Sequence, residues 1–376
     1  MKNNNIPKIR FPEFTDAWEK CKFKNIAGIR KEQCTQENVS IDIELENLVS
    51  DMGIIVGDVS IRTQTTSAFK KDDVLFGRLR PYLNKWWLAD CNGVKSSEIW
   101  ALFSLEKVSS LFLYLLIQSK SFLEAANISS GSKMPRAEWK IIEELEVSIP
   151  PLPEQQKIGT FFRQLDRLIT LHKRKWDEVI LLKKALLQKM FPKNGSDFPE
   201  IRFPEFTHAW EKCKLGEVAN PQQWRTLNSK EMTKSGYPVF GANDYIGFYS
   251  EYNHEKETIA ITCRGATSGN ITLVQAKSYI TGNSMAIDEL NEDVCTQDFL
   301  LYSLISRGLK DIISGSAQPQ IVKKAIDQVT ISYPTLPEQQ KIGTFFRQLD
   351  RLITLHKRQH EHYQRLKKAL LQQMFV

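Results

Sequence analysis

The stretch LPEQQKIGTFFRQLDRLITLHKR, Leu152–Arg174, decides the fold, because it returns letter for letter at Leu336–Arg358. Prolines at 150, 151 and 153 break the chain before the first copy, and Pro153 followed by Glu154 suits the first turn of a helix. From Glu154 to about Met190 there is no further proline, and the one glycine is Gly159. Apolar residues at Ile158, Phe161, Phe162, Leu165, Leu168, Ile169, Trp176, Val179, Leu182, Leu186 and Met190 recur at a mean spacing of about 3.5, the stripe of a coiled-coil-like helix. The second copy repeats the stripe through Ile342, Leu349, Leu352, Tyr363, Leu366, Leu370 and Met374. At about 1.5 Å per residue each helix spans roughly 55 Å, and its greasy face must be buried. Two such helices in one chain predict an antiparallel pair, with a globular domain at each end and an approximate two-fold axis.

A second duplication frames the first. IRFPEFTDAWEKCK at Ile9–Lys22 recurs as IRFPEFTHAWEKCK at Ile201–Lys214, differing only at Asp16 and His208. The order is leader, variable segment, long repeat, then the same again, as in tandem copies of one module. The variable segments keep a common outline: FLYLLIQS at Phe112–Ser119 resembles FLLYSLIS at Phe299–Ser306, and each precedes SGS, a proline (Pro135, Pro319) and a strand-like run. The expected fold is α+β, two globular domains joined by the paired helices. The expected segments are domain 1 at 1–150, helical region 1 at 151–192, domain 2 at 193–334 and helical region 2 at 335–376.

Charged residues are 25% and hydrophobic residues 41% of the 376, a folded rather than disordered profile. The net charge of +7 is compatible with a polyanionic partner. Cys21, Cys34, Cys91, Cys213, Cys263 and Cys295 form no CxxC pair, so no zinc knuckle or redox motif is visible, and reduced thiols are expected. MKNNNIPKIRFPEF lacks an apolar signal core, and the longest apolar run, LFLYLLI, is far short of a membrane span. A cytoplasmic protein is expected. There is no Walker A loop, and NPQQ at Asn220 fails the adenine-methyltransferase tetrapeptide at its third position. His356, His360 and His362 invite a metal reading, but the first copy has His172, Trp176 and Glu178 there, so a solvated helix face is the better reading. No carboxylate pair stands out. The chain is read as non-catalytic and free of metal and cofactor.

Polar, arginine-rich strings in the variable segments carry the chemistry of base-edge and phosphate recognition. Arginine forks onto guanine and phosphate, and asparagine pairs with adenine. The first segment offers Arg62, Arg78, Arg80, Tyr82, Asn84, Lys85, Lys133 and Arg136. The second offers Arg225, Asn243, Arg264, Ser268, Asn270, Gln318 and Gln320. In the long repeat Gln155, Gln156, Arg163 and Arg167 match Gln339, Gln340, Arg347 and Arg351. A buried seam needs only its apolar positions to match, so identical polar residues are read as an outward face on which the same partner docks twice.

The double PLPEQQKIG junction, RLRPYLNK in the first module and WEKCKLGEV opening the second resemble the specificity subunit of Type I restriction–modification systems over essentially the whole chain. The first leader departs from that pattern after Lys22, with FKNIA in place of LGEVA. The resemblance implies two target recognition domains, each reading half of a split double-stranded DNA site across an unread spacer set by the helices. It also implies two methyltransferase subunits and two motor–nuclease subunits as partners. S-adenosylmethionine, ATP and Mg are expected on those partners, none in this chain. A non-catalytic scaffold with two protein-binding domains, and a self-contained nuclease, are the competing readings.

Overall fold

The computed structural model describes residues 6–34, 41–60, 66–128, 133–193, 195–315 and 319–375. These form two compact units, Met1–Arg174 with His356–Val376, and Lys175–Leu355. Each unit has a globular part and a segment of both long helices.

The elements of unit 1 are β1 (Glu19–Lys22), β2 (Ala27–Ile29), β3 (Gln33–Cys34), β4 (Asp42–Ile43), β5 (Thr66–Phe69), β6 (Val74–Gly77), β7 (Trp86–Leu88), β8 (Gly93–Lys95), β9 (Ile99–Ser104), α1 (Ser110–Leu116), α2 (Lys120–Ala126), α3 (Trp139–Ile142), β10 (Glu146–Ile149) and the first part of α4 (Leu152–Lys189). One sheet has the order β2-β9-β6-β7, a second β3-β5-β8-β4, and β1 pairs antiparallel with β10. VLFG in β6 is wholly buried, and side-chain alternation divides it between two cores. Val74 and Phe76 join Trp86, Trp100 and the helices, while Leu75 joins Trp87, Ile99 and Phe69 on the opposite face.

Unit 2 repeats the plan with β11 (Glu211–Lys214), α5 (Leu215–Val218), β12 (Asn220–Gln223), β13 (Tyr237–Phe240), β14 (Tyr245–Tyr249), β15 (Thr258–Thr262), β16 (Ile271–Val274), β17 (Tyr279–Ile280), β18 (Ser284–Asp288), α6 (Gln297–Arg307), α7 (Lys323–Asp327), β19 (Thr330–Tyr333) and the first part of α8 (Leu336–Met374). Its sheets run β12-β18-β15-β16 and β14-β13-β17, and β11 pairs with β19. Alternation again splits the central strand, Ile259 and Ile261 facing the helices and Ala260 the other core.

Identical residues fasten each leader to its long helix. The Arg10 guanidinium donates both Nε and Nη2 to buried Glu154 at 2.7 Å, and Arg202 grips Glu338 in the same way at 2.8 Å. The next residue locks the helix to the globular part. Gln155 accepts from Ser109 N at 2.9 Å and donates to Lys107 O and Pro150 O, while Gln339 accepts from Thr296 N at 2.8 Å and donates to Val294 O and Pro334 O. This corrects the sequence reading of Gln155 and Gln339 as outward-facing: both are buried, with their amides satisfied inside the chain. One turn on, a Cβ on Gly159 would come within 2.6 Å of Leu111, and on Gly343 within 2.7 Å of Asp298. The lone glycine of each helix is where α1 or α6 crosses it.

Within each unit the helix segments run antiparallel. In unit 1, Asp166 meets Lys367 at 2.7 Å, Ile169 O meets His360 Nδ1 at 3.1 Å, and His172 Nδ1 meets His356 Nδ1 at 3.2 Å. In unit 2, Lys183 pairs with Asp350 at 2.5 Å and Phe191 packs on Phe346. Two sequence expectations change here. His360 is buried in the seam rather than on a solvated face, and Leu168, Leu182, Leu352 and Leu366 of the expected stripe are exposed.

Candidate nucleic-acid interface

In unit 1 the chain leaves β6 into a loop that returns as β7, and backbone hydrogen bonds sew this loop to the segment around Pro135. Arg78 N donates to Glu98 O, Arg80 N to Pro135 O and Ala137 N to Arg78 O, each at 2.8 Å, and Leu79 bridges Arg136 antiparallel. Arg80 and Asn84 take left-handed φ values of 50° and 51° at either end of a single turn over Pro81–Leu83. That turn projects Tyr82 and Arg80 outward.

Unit 2 builds the same cradle from different letters. Cys263 N donates to Asn283 O, Gly265 N to Pro319 O and Ile321 N to Cys263 O, at 2.9–3.0 Å, and Arg264 bridges Gln320. The pairing aligns Arg78 with Cys263, Leu79 with Arg264, Arg80 with Gly265, and Arg136 with Gln320. Gly265 also has a positive φ, 91°. The backbone frame is held while the side chains it presents are exchanged. Asn270 donates to Asn243 at 2.8 Å, tying the β13–β14 turn to the β15–β16 turn beside this cradle.

The predicted residues divide by what their polar atoms already do. Arg80, Lys133, Arg136 and Arg264 are exposed and, among the described residues, form no ion pair. Gln320 is exposed next to Arg264. Arg78 is half-buried, its guanidinium 5.6 Å from the Trp100 ring centroid and its Nε without a hydrogen-bond partner. Others are engaged internally: Lys85 Nζ donates to Leu45 O at 2.8 Å and Asn84 to Asp51 at 3.0 Å. The Ser268 hydroxyl donates to the carbonyls of Gly265 and Pro319, so it holds the cradle's shape and is not free to read a base. Arg225 is paired with Glu231 at 2.7 Å. Arg62 and Gln318 lie outside the described residues.

On the helices, Gln156, Gln340, Arg163, Arg167 and Arg351 are exposed, while Arg347 is paired with Asp298 and Glu257. Sequence reasoning missed the exposed leucines beside them. Leu168 and Leu171 share a face of α4 in unit 1, and Leu352 and Leu355 share the corresponding face of α8 in unit 2, all between 38% and 47% exposed. Leu168 and Leu352 sat inside a stripe that seemed fully accounted for by helix pairing, and Leu171 and Leu355 beside it. Lys95 on β8 was also missed: it is buried, and desolvation, with Arg78 nearby, pulls its ammonium down to about 8, against the weaker opposing pull of Asp73.

Two α+β units with one backbone plan, each closed by an antiparallel helical seam and each presenting its own loop cradle, define a duplicated recognition module. Residues 18–181 and 207–362 match the Type I restriction modification DNA specificity domain, and the chain belongs to that family. It is 24% identical over 314 residues to the Type I restriction enzyme MjaVIII specificity subunit of Methanocaldococcus jannaschii, covering 74% of this chain and 72% of that protein. It is 23% identical over 329 residues to the putative type I specificity subunit S.MgeORF438P of Mycoplasma genitalium, covering 84% and 83%. The crystal structure of the Type I restriction–modification S subunit from M. genitalium shares the fold, with a TM-score of 0.72 over 99% of both chains at 19% identity. No described helix is long and apolar enough to cross a membrane.

Proposed function

We propose that the chain reads a bipartite double-stranded DNA target, one half with each unit, and directs adenine methylation or restriction by partner subunits. The observation that carries this reading is the pair of cradles, with equivalent backbone bonds but different side chains. In unit 1, Arg136 bridges Leu79, which lies between Arg78 and Arg80; in unit 2, Arg264 bridges Gln320. A common frame with exchanged side chains is what two different half-sites require. Arginine forks suit guanine edges, and neighbouring lysines suit phosphates.

Leu168, Leu171, Leu352 and Leu355, flanked by Arg167 and Arg351, are the surface for two copies of a methyltransferase subunit, because apolar residues exposed at equivalent places in a duplicated helix fit one partner twice. Motor–nuclease subunits complete the restricting assembly. The chemistry, with S-adenosylmethionine, ATP and Mg, belongs to those partners, and the compartment is the cytoplasm. The test is a base-resolution map of adenine methylation in host cells with and without the gene. One bipartite motif with a fixed gap disappears on deletion; an unchanged map, in cells where the protein and its methyltransferase are present, overturns the proposal.

A further inference from the structure

Lys95 is a buried cation of unit 1 that the core and the cradle's backbone bonds leave unexplained. It ends β8, is 5% exposed, and its ammonium forms no hydrogen bond or ion pair among the described residues. Three residues further on, the Glu98 carbonyl accepts from Arg78 N at 2.8 Å and Leu79 N at 3.3 Å, so one short segment ties the lysine to the cradle. Arg78 and Lys95 lie close enough to repel each other. Asp73, the carboxylate that attracts Lys95, is already engaged: Arg30 donates to both of its oxygens at 2.5 and 2.8 Å, and Lys70 N to one of them at 2.8 Å. Half-buried Arg78 has its Nε buried without an acceptor and its guanidinium 5.6 Å from the Trp100 ring centroid. Burying an ammonium without a counter-ion is costly, and donors left over side by side mark where an outside group supplies the acceptors.

The chemistry of the pair selects the group. Arginine and lysine side chains carry donors and no acceptor. In the major groove guanine presents two acceptors, O6 and N7. Adenine sets a donor beside its acceptor, cytosine offers a donor, and thymine sets a methyl group beside its one acceptor. We propose that Arg78 and Lys95 together read one guanine in the half-site of unit 1, dividing its O6 and N7 between the guanidinium and the ammonium. Lys95 is then a specificity-determining residue. The inference rests on the DNA reading proposed above and adds the base that unit 1 demands. Unit 2 places Cys263 where unit 1 has Arg78, so the demand is confined to the first half-site. A phosphate would satisfy the same donors but carries no sequence information, and that difference is what the experiment reads.

Base-resolution methylation maps of strains carrying the parent chain, Lys95→Met or Arg78→Ala, each with the methyltransferase, test this. The parent motif holds a G·C pair in one half-site, and both variants relax that pair and no other position. Lys95→Met removes a buried charge and keeps the fold, which urea unfolding checks. Duplexes bearing the mapped motif then probe the guanine atoms, with the chain bound to its methyltransferase. Replacing that guanine by 7-deazaguanine, which lacks N7, weakens parent binding by roughly ten- to a hundredfold and weakens the two variants less. Inosine, which keeps O6 and N7, binds as guanine does. Variants that lose affinity equally for every sequence assign the pair to a phosphate and overturn the guanine reading. A Lys95→Met map identical to the parent's, or 7-deazaguanine binding as guanine does, also overturns it. A parent map without any bipartite motif overturns the DNA reading itself, and this inference with it.

Discussion

At Arg78 the proposed recognition of the first half-site comes down to single side chains. Its guanidinium lies over Trp100, its Nε is buried without an acceptor, and Lys95 lies nearby. An acceptor-rich base edge or phosphate would satisfy both cations, so removing one has a local effect. Arg78→Ala and Arg80→Ala are each expected to cost about 1–3 kcal/mol of discrimination in the half-site read by unit 1. Methylation mapping of variant strains should show the other half-site intact; a changed second half-site would count against independent units. Lys95 supplies a pH test of folding. It titrates near 8 in the folded chain and near 10.5 when unfolded. The unfolded chain therefore holds the extra proton across that window, and stability rises with pH through it. Lys95→Met should remove that rise and stabilise the protein at pH 7 by on the order of 2 kcal/mol, read from urea unfolding at a series of pH values.

The long helix shows which sequence signals determine structure unaided. Its existence, length and duplication were legible because proline punctuation and an apolar period near 3.5 act locally. The role of EQ at the start of each helix was not. Glu154 and Gln155 look like a polar surface, and only the tertiary fold brings Arg10, Ser109 and Lys107 onto them. For the same reason Ser268 and Lys85 read as ligand contacts although their polar atoms are used internally. Arg10→Ala should lose about 3–5 kcal/mol by stranding the buried Glu154 carboxylate, and Arg202→Ala should do the same in the other unit. Gly159→Ala should cost about 1–3 kcal/mol through collision with Leu111, despite the better helix propensity of alanine. Chemical denaturation decides both, and a Gly159→Ala variant more stable than the parent would refute the crossing argument.

At the scale of the molecule, the proposed bipartite reading implies that duplication lets each half-site change separately while the helices stay constant. Seven residues inserted into both α4 and α8 at the unit boundaries lengthen each by about 10.5 Å. The unread gap in the methylated motif should then grow by about three base pairs, with both half-sites retained. An unchanged gap would dissociate the helices from spacing.

The leaders add a topological consequence. Ile201 N donates to Lys189 O at 2.9 Å, where eleven intervening residues join the end of α4 to the second leader. At the corresponding place in unit 1, Lys8 N and Ile9 N donate to Gln373 O at 2.9 and 3.1 Å, with no covalent link between them. The same backbone junction therefore occurs in each unit, joined by a short chain segment in unit 2 and by hydrogen bonds in unit 1. A circular permutant that joins the old ends with a copy of 190–200 and starts instead between Lys193 and Asp197 should fold to the same pair of units, since every strand, seam and latch keeps its partners.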